Sequence, residues 1–114
     1  MVAACRGAAR PVGAREGSLN LYVIRRRKVW KTAAELEATA SRSARIGNEE
    51  MADQVRWIRS YVVNEDDGTL GTVCIYQATG PDAIREHARR VGMTADEITP
   101  VLRTVVVRED PAEA

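Results

Sequence analysis

Phenylalanine is absent from this chain of 114 residues, and histidine occurs once, as His87. A single histidine excludes a histidine-rich metal centre within one subunit. The two cysteines, Cys5 and Cys74, are too few for a disulfide framework. A reducing cytoplasm is therefore the simplest compartment. Charge of neither sign prevails: 17 basic side chains face 16 acidic ones, for a net charge of +1. No overall field favours nucleic acid or anionic lipid, so neither is expected as a partner. No stretch approaches the roughly 18 apolar residues of a membrane-spanning helix. Residues 1–18 are basic and rich in Ala and Gly, and they lack the apolar core of about 7–15 residues found in a secretory signal. A disordered N-terminal tail is expected there.

What remains has the size of one domain, residues 19–110, followed by a short tail at 111–114. LNLYVI, residues 19–24, reads as a strand, and RRRK at 25–28 as its solvated end. Thr32 stands three residues before Glu35, the spacing of a capping box. It predicts a helix over TAAELEATASRSARIG with an apolar stripe of Ala33, Leu36, Ala40 and Ala44, closed by Gly47-Asn48. VRWIRSYVV (55–63) and TVCIYQA (72–78) read as two strands of a hairpin whose turn carries Asp67-Gly68. Pro81 suits the first turn of a second helix, Asp82 adds negative charge there, and Gly92 ends it. Ile84, Ala88 and Val91 form its apolar stripe, and His87 falls beside them. Thr94 and Glu97 suggest a further capped turn, and LRTVVVRE (102–109) a last strand. The order is βαββαβ. It predicts a ferredoxin-like α+β fold: a four-stranded antiparallel sheet in the order 4-1-3-2, with two helices on one face.

Alternation along the strands divides the side chains into two sets. One set is aliphatic and suits the helices. The other holds Tyr22, Ile24, Trp57, Tyr61, Cys74 and Tyr76. The second set, with Val63, is expected on the helix-free face, where it forms a large exposed patch in a lone subunit. Such a patch points to a homodimer packed face to face, or to the wall of a pocket.

The strings W-x-x-S-Y-V (Trp57, Ser60, Tyr61, Val62), V-C-x-Y (Val73, Cys74, Tyr76), A-I-R-E-H-A (Ala83 to Ala88) and R-x-G (Arg90, Gly92) resemble one family. It consists of small ferredoxin-like proteins, mostly of unknown function, and includes nickel-binding members. The resemblance spans about residues 19–110. It implies a βαββαβ subunit, a dimer, and divalent nickel as a ligand.

His87, Cys74 and Glu86 are the residue types that nickel accepts, and they form the candidate metal set. The bland reading of His87 is a core-edge imidazole bonded to a carbonyl or a tyrosine hydroxyl. Alternation sets Cys74 on the opposite face from His87, and Arg85, Arg89 and Arg90 oppose a dication nearby. Three functions compete. One is a homodimeric cytoplasmic protein that holds nickel or a similar ion. The second is a small-molecule enzyme or ligand-binding protein, monooxygenase- or isomerase-like, with Tyr22, Trp57, Tyr61 and Tyr76 lining its pocket. RNA binding is the third, disfavoured because the sheet lacks the recognition motif of RNA-binding domains.

Overall fold

The computed structural model describes residues 19–112. The expected N-terminal tail lies outside that range. Strand β1 runs Asn20–Trp30, helix α1 Ala33–Glu49, β2 Val55–Asn64, β3 Leu70–Ala78, helix α2 Pro81–Val91 and β4 Glu97–Pro100. The sheet order is β2-β3-β1-β4, with each neighbouring pair antiparallel. This is the ferredoxin-like α+β arrangement that the sequence predicts.

Local chemistry explains most of the boundaries. Thr32 caps α1 by accepting from the Glu35 amide at 3.2 Å. The Glu35 carboxylate in turn accepts from Lys31 N at 2.9 Å, one residue earlier than the standard box. Pro81 opens α2, and Gly92 closes it with φ of 92°, a left-handed conformation that costs glycine little. In the hairpin turn the Asp67 carboxylate accepts from the Thr69 amide at 3.0 Å.

Five expectations need correction. β1 does not end at Ile24: RRRK continues it, and Arg26 is buried to 2% exposure. The alternation Tyr22, Ile24, Arg26 carries the guanidinium inward with its neighbours. Helix α1 runs two residues past Gly47, because the Glu50 amide still reaches the Ile46 carbonyl at 2.9 Å. Its buried face is Thr39, Ser43 and Ile46, not the alanine stripe. Hydroxyls are needed there: Thr39 Oγ1 accepts from Trp30 Nε1 at 2.9 Å, and Ser43 Oγ meets Tyr76 Oη at 3.2 Å. Strand β4 is EITP rather than LRTVVVRE. Its four residues pair with Tyr22–Arg25 of β1, and residues after Val101 find no strand within the protomer. Pro100 is tolerated because β4 is an edge strand.

The fifth correction concerns the faces. Tyr22, Ile24, Cys74 and Tyr76 form the core with Ala83 and Ile84 of α2. The aromatic set therefore lies under the helices, and the aliphatic set of Leu21, Val23, Val73 and Ile75 faces away from them. Tyr61 does not join the other aromatics. In β2, Trp57 pairs with Tyr76 while Arg59 pairs with Ile75, so Ile58 is an inserted residue. This bulge flips the alternation. Trp57, Ser60 and Val62 end up on the helix side, Arg59 and Tyr61 on the other. The sequence offers no turn residue or glycine at Ile58 to announce the bulge.

The assignment of faces has a direct check. Tyr76→Ala should lower the unfolding free energy by about 3–5 kcal/mol in urea titration, as for other large aromatic truncations in cores. Tyr61→Ala, at a site 41% exposed, should cost below about 1 kcal/mol at dilute protein concentration.

Candidate functional site

Helix α2 carries His87 on its buried side, where it is 1% exposed. Its Nε2 lies 3.0 Å from the Ser43 carbonyl of α1. A carbonyl only accepts, so the proton sits on Nε2, and Nδ1 is left as a bare acceptor. No side chain or backbone donor among the described residues reaches Nδ1. The imidazole tilts against the Tyr76 ring, with centroids 5.7 Å apart. Trp57 stacks on Tyr76 from the adjacent strand at 6.2 Å and 13°. Ser43, Ala44, Gly47, Asn48, Val55, Trp57, Tyr76 and His87 surround a pocket of about 100 Å³. Trp57 is 38% exposed and Asn48 is exposed, so they mark its mouth.

The titrations follow from this packing. Burial pushes the His87 pKa below its ordinary value, and the Ser43 bond only partly offsets that. Burial likewise raises the Tyr76 hydroxyl. Both groups are neutral at physiological pH.

Cys74 shares the helix side with His87, contrary to the alternation argument, but belongs to a different cluster. Its sulfur accepts from Ser60 Oγ at 3.0 Å and from Arg26 Nη1 at 3.5 Å. Arg26 also donates from Nε to the Thr94 carbonyl at 2.6 Å, and its Nη2 has no partner. Glu86 lies on the outer side of α2. Two bonds from Arg89, at 3.0 and 2.6 Å, and one from Arg90, at 2.7 Å, occupy its carboxylate. The Arg89 and Arg90 hydrogen bonds lower the Glu86 pKa to about 2.

The three candidate metal residues are thus each engaged, and in different places: His87 by a carbonyl, Cys74 by a hydroxyl and a guanidinium, Glu86 by two arginines. No group of three His, Cys, Asp or Glu side chains able to hold a metal occurs among the described residues. The Arg26 cation beside Cys74 also opposes a dication at that sulfur. The described side chains of one protomer do not fit a nickel ion. Of the four expected pocket residues, Trp57 and Tyr76 line the cavity, Tyr22 lies in the core beside it, and Tyr61 is on the far face. The sequence gives Ser43 and Arg26 no part in a site, and Gly47 only the end of a helix. Thr39 and Ser43, one helical turn apart, were a usable signal, because buried Trp and Tyr tips need hydroxyl or carbonyl partners.

A broader depression of about 410 Å³ lies at the end of α2, lined by Arg85, Ala88, Arg89, Met93, Ala95 and Asp96. Both of its arginines are spent in ion pairs, Arg85 with Asp82 and Arg89 with Glu86.

Fold and polar seam together define a small ferredoxin-like α+β protein with a histidine–tyrosine pocket. The chain belongs to the SCO4226-like family: the family model described as Nickel responsive protein SCO4226-like matches residues 22–101. The crystal structure of SCO4226 from Streptomyces coelicolor A3(2) superposes with a TM-score of 0.59 at 17% identity, covering 75% of this chain and 99% of that one. At that identity the likeness concerns the fold. No curated protein matches the chain. No described helix is long and apolar enough to cross a membrane.

Neutral His87 makes stability depend on pH. The unfolded chain takes up a proton near pH 6.5, while the folded chain resists it until a lower pH. The stabilisation is complete above about 6.5 and is lost as pH falls toward the depressed folded value, with a slope of at most about 1.4 kcal/mol per pH unit. Urea midpoints measured from pH 7.5 to 5 should fall for the wild type and fall less for His87→Gln.

Proposed function

We propose that this chain is a homodimeric, nickel-responsive binding protein of the cytoplasm. The observation that carries the reading is the face of the sheet without helices. Leu21, Val23, Val73 and Ile75 are half-buried there, and no helix packs over them. The segment after β4 adds Leu102, Val105, Val106 and Val107, with Leu102 81% and Val107 86% exposed. This segment starts from β1, where Val101 N donates to the Leu21 carbonyl, and reaches β2, where the Asp110 carboxylate accepts from Arg59 and Tyr61. Apolar side chains of this kind gain about 1.5–3 kcal/mol each when fully buried. A second copy, turned about a two-fold axis, presents the same surface and covers it. The β-branched run at Val105–Val107 then gains the strand partner that it lacks within one protomer.

Nickel enters through the family, whose description is nickel responsive. His87, Cys74 and Glu86 have protein partners already, so the response is assigned to the dimer, with any ion shared between copies. Cytoplasmic placement agrees with Cys74 being a buried free thiol.

Sedimentation at micromolar concentration, paired with equilibrium dialysis against nickel, tests both parts. The wild type should sediment as a dimer and take up nickel. Val106→Asp combined with Val107→Asp should give monomers and lose that uptake. A wild-type chain that sediments as a single subunit refutes the dimer, and a dimer that takes up no nickel refutes the metal response.

A further inference from the structure

The match to the family ends at Val101, so the arm Leu102–Asp110 lies outside it. We propose that this arm is exchanged in the dimer. It pairs as a fifth strand with the outer edge of β2 in a second copy, which returns its own arm in the same way. The inference rests on the dimer proposed above and names the strand that each arm meets.

The arm has strand chemistry and no ladder. Thr104-Val105-Val106-Val107 is β-branched throughout, a composition that favours strands, and no proline interrupts it before Pro111. Yet among the described residues no backbone hydrogen bond involves residues 102–110. Leu102, Val105, Val106 and Val107 are all exposed.

Strand β2 has an edge and no cover. It is terminal in the sheet, so one side of its backbone has no strand beside it among the described residues. The opposite edge, β4, is guarded by its four-residue length and by Pro100. β2 is ten residues long, has neither proline nor lysine, and exposes Tyr61 and Val62. Its bulge disturbs only the first part, because Arg59 to Asn64 pair with β3 without interruption. A long edge of this kind recruits another strand.

Reach decides which copy supplies that strand. The arm leaves the sheet beside β1 at the β4 end, and β2 lies at the other. With strands about 4.8 Å apart, the outer side of β2 is roughly 19 Å from β4. A strand advances about 3.3 Å per residue, so Val105 comes no farther than about 13 Å from Val101 and Val107 about 20 Å. Crossing its own sheet therefore uses up the residues that would have to run along β2. Only the tip arrives: the Asp110 carboxylate accepts from Arg59 at 2.9 Å and from Tyr61 at 2.6 Å. A second copy brings its β2 without that crossing.

Charge agrees with the pairing. β2 carries Arg56 and Arg59 and no acidic residue, while the arm ends in Glu109-Asp110. In the exchanged form Asp110 takes Arg59 of the partner subunit in place of its own. Exchange between identical copies thus keeps the ion pair and adds a backbone ladder.

The test uses the full-length protein. A dimer reassembled from isotope-labelled and unlabelled chains is examined by isotope-filtered NMR, which records contacts between copies alone. Contacts are expected from the Val105–Val107 methyls of one chain to Tyr61 or Val62 of the other. Val106→Pro and Val107→Pro, made separately, provide a second measurement. Neighbouring residues aim their N–H groups to opposite sides of a strand, so one of the two variants removes a ladder donor while the arm stays apolar. Neither position makes a backbone bond within the protomer, so the melting temperature at high dilution should not change. The dimer dissociation constant from sedimentation should rise at least about tenfold in one variant or both. A dimer that neither proline weakens overturns the exchange, as does a dimer whose arm meets β2 only within its own chain or whose β2 edge is covered by other residues. Those results leave the dimer itself standing, whereas a wild type that sediments as a single subunit removes dimer and exchange together.

Discussion

Everything in this small fold depends on satisfying the polar tips of aromatic side chains under two helices. Trp30, Tyr76 and His87 supply much of the interior bulk in a chain without phenylalanine, and each has a nitrogen or oxygen that cannot be buried alone. Helix α1 answers with Thr39 Oγ1, Ser43 Oγ and the Ser43 carbonyl. These bonds fix the rotation of α1 about its axis, which is why hydroxyls are buried while Ala33 stays in water. A helix positioned by hydrophobicity alone would have turned its alanines and Leu36 inward.

The element order was legible in the sequence because its signals are local. Thr32, Pro81, Gly92 and Asp67-Gly68 each act on the few residues around them, and the βαββαβ succession follows. Which face of the sheet the helices cover was not legible. Alternation separates two sets of side chains but does not say which is inside. The aliphatic set has the composition of a core, yet Tyr22 and Tyr76 are the buried ones, and Tyr76 finds the Ser43 hydroxyl. The bulge at Ile58 was hidden for a related reason: it is set by pairing with Ile75 and Tyr76 of β3, beyond the reach of any local cue. The last strand was misplaced because Val105–Val107 has strong β character, and only the sheet itself decides whether a partner edge exists.

His87 and Cys74 show how residue identity can mislead about a site. Both have the chemistry of metal ligands and both lie on the same side of the sheet. Each is nevertheless consumed by structure, one orienting two helices against each other, the other facing the buried guanidinium of Arg26. Among the described residues Arg26 has no carboxylate partner, and a cation so buried is expensive unless its donors are met. Its bonds to the Thr94 carbonyl and the Cys74 sulfur tie the loop after α2 to the middle of the sheet. The surface charges, by contrast, sit in exposed pairs such as Arg27 with Glu97, which contribute little individually.

The bulge in β2 has a consequence that reaches beyond its own strand. A single extra residue decides that Trp57 borders a cavity and Tyr61 does not. Removing that residue would leave a regular strand with the same pairs, Trp57 opposite Tyr76 and Arg59 opposite Ile75, whereas keeping it in a regular, unbulged strand would bring Tyr61 inward and turn Ser60 outward. The bulge therefore lets a strand with one residue too many keep a serine beside Cys74 and a tyrosine on the opposite surface.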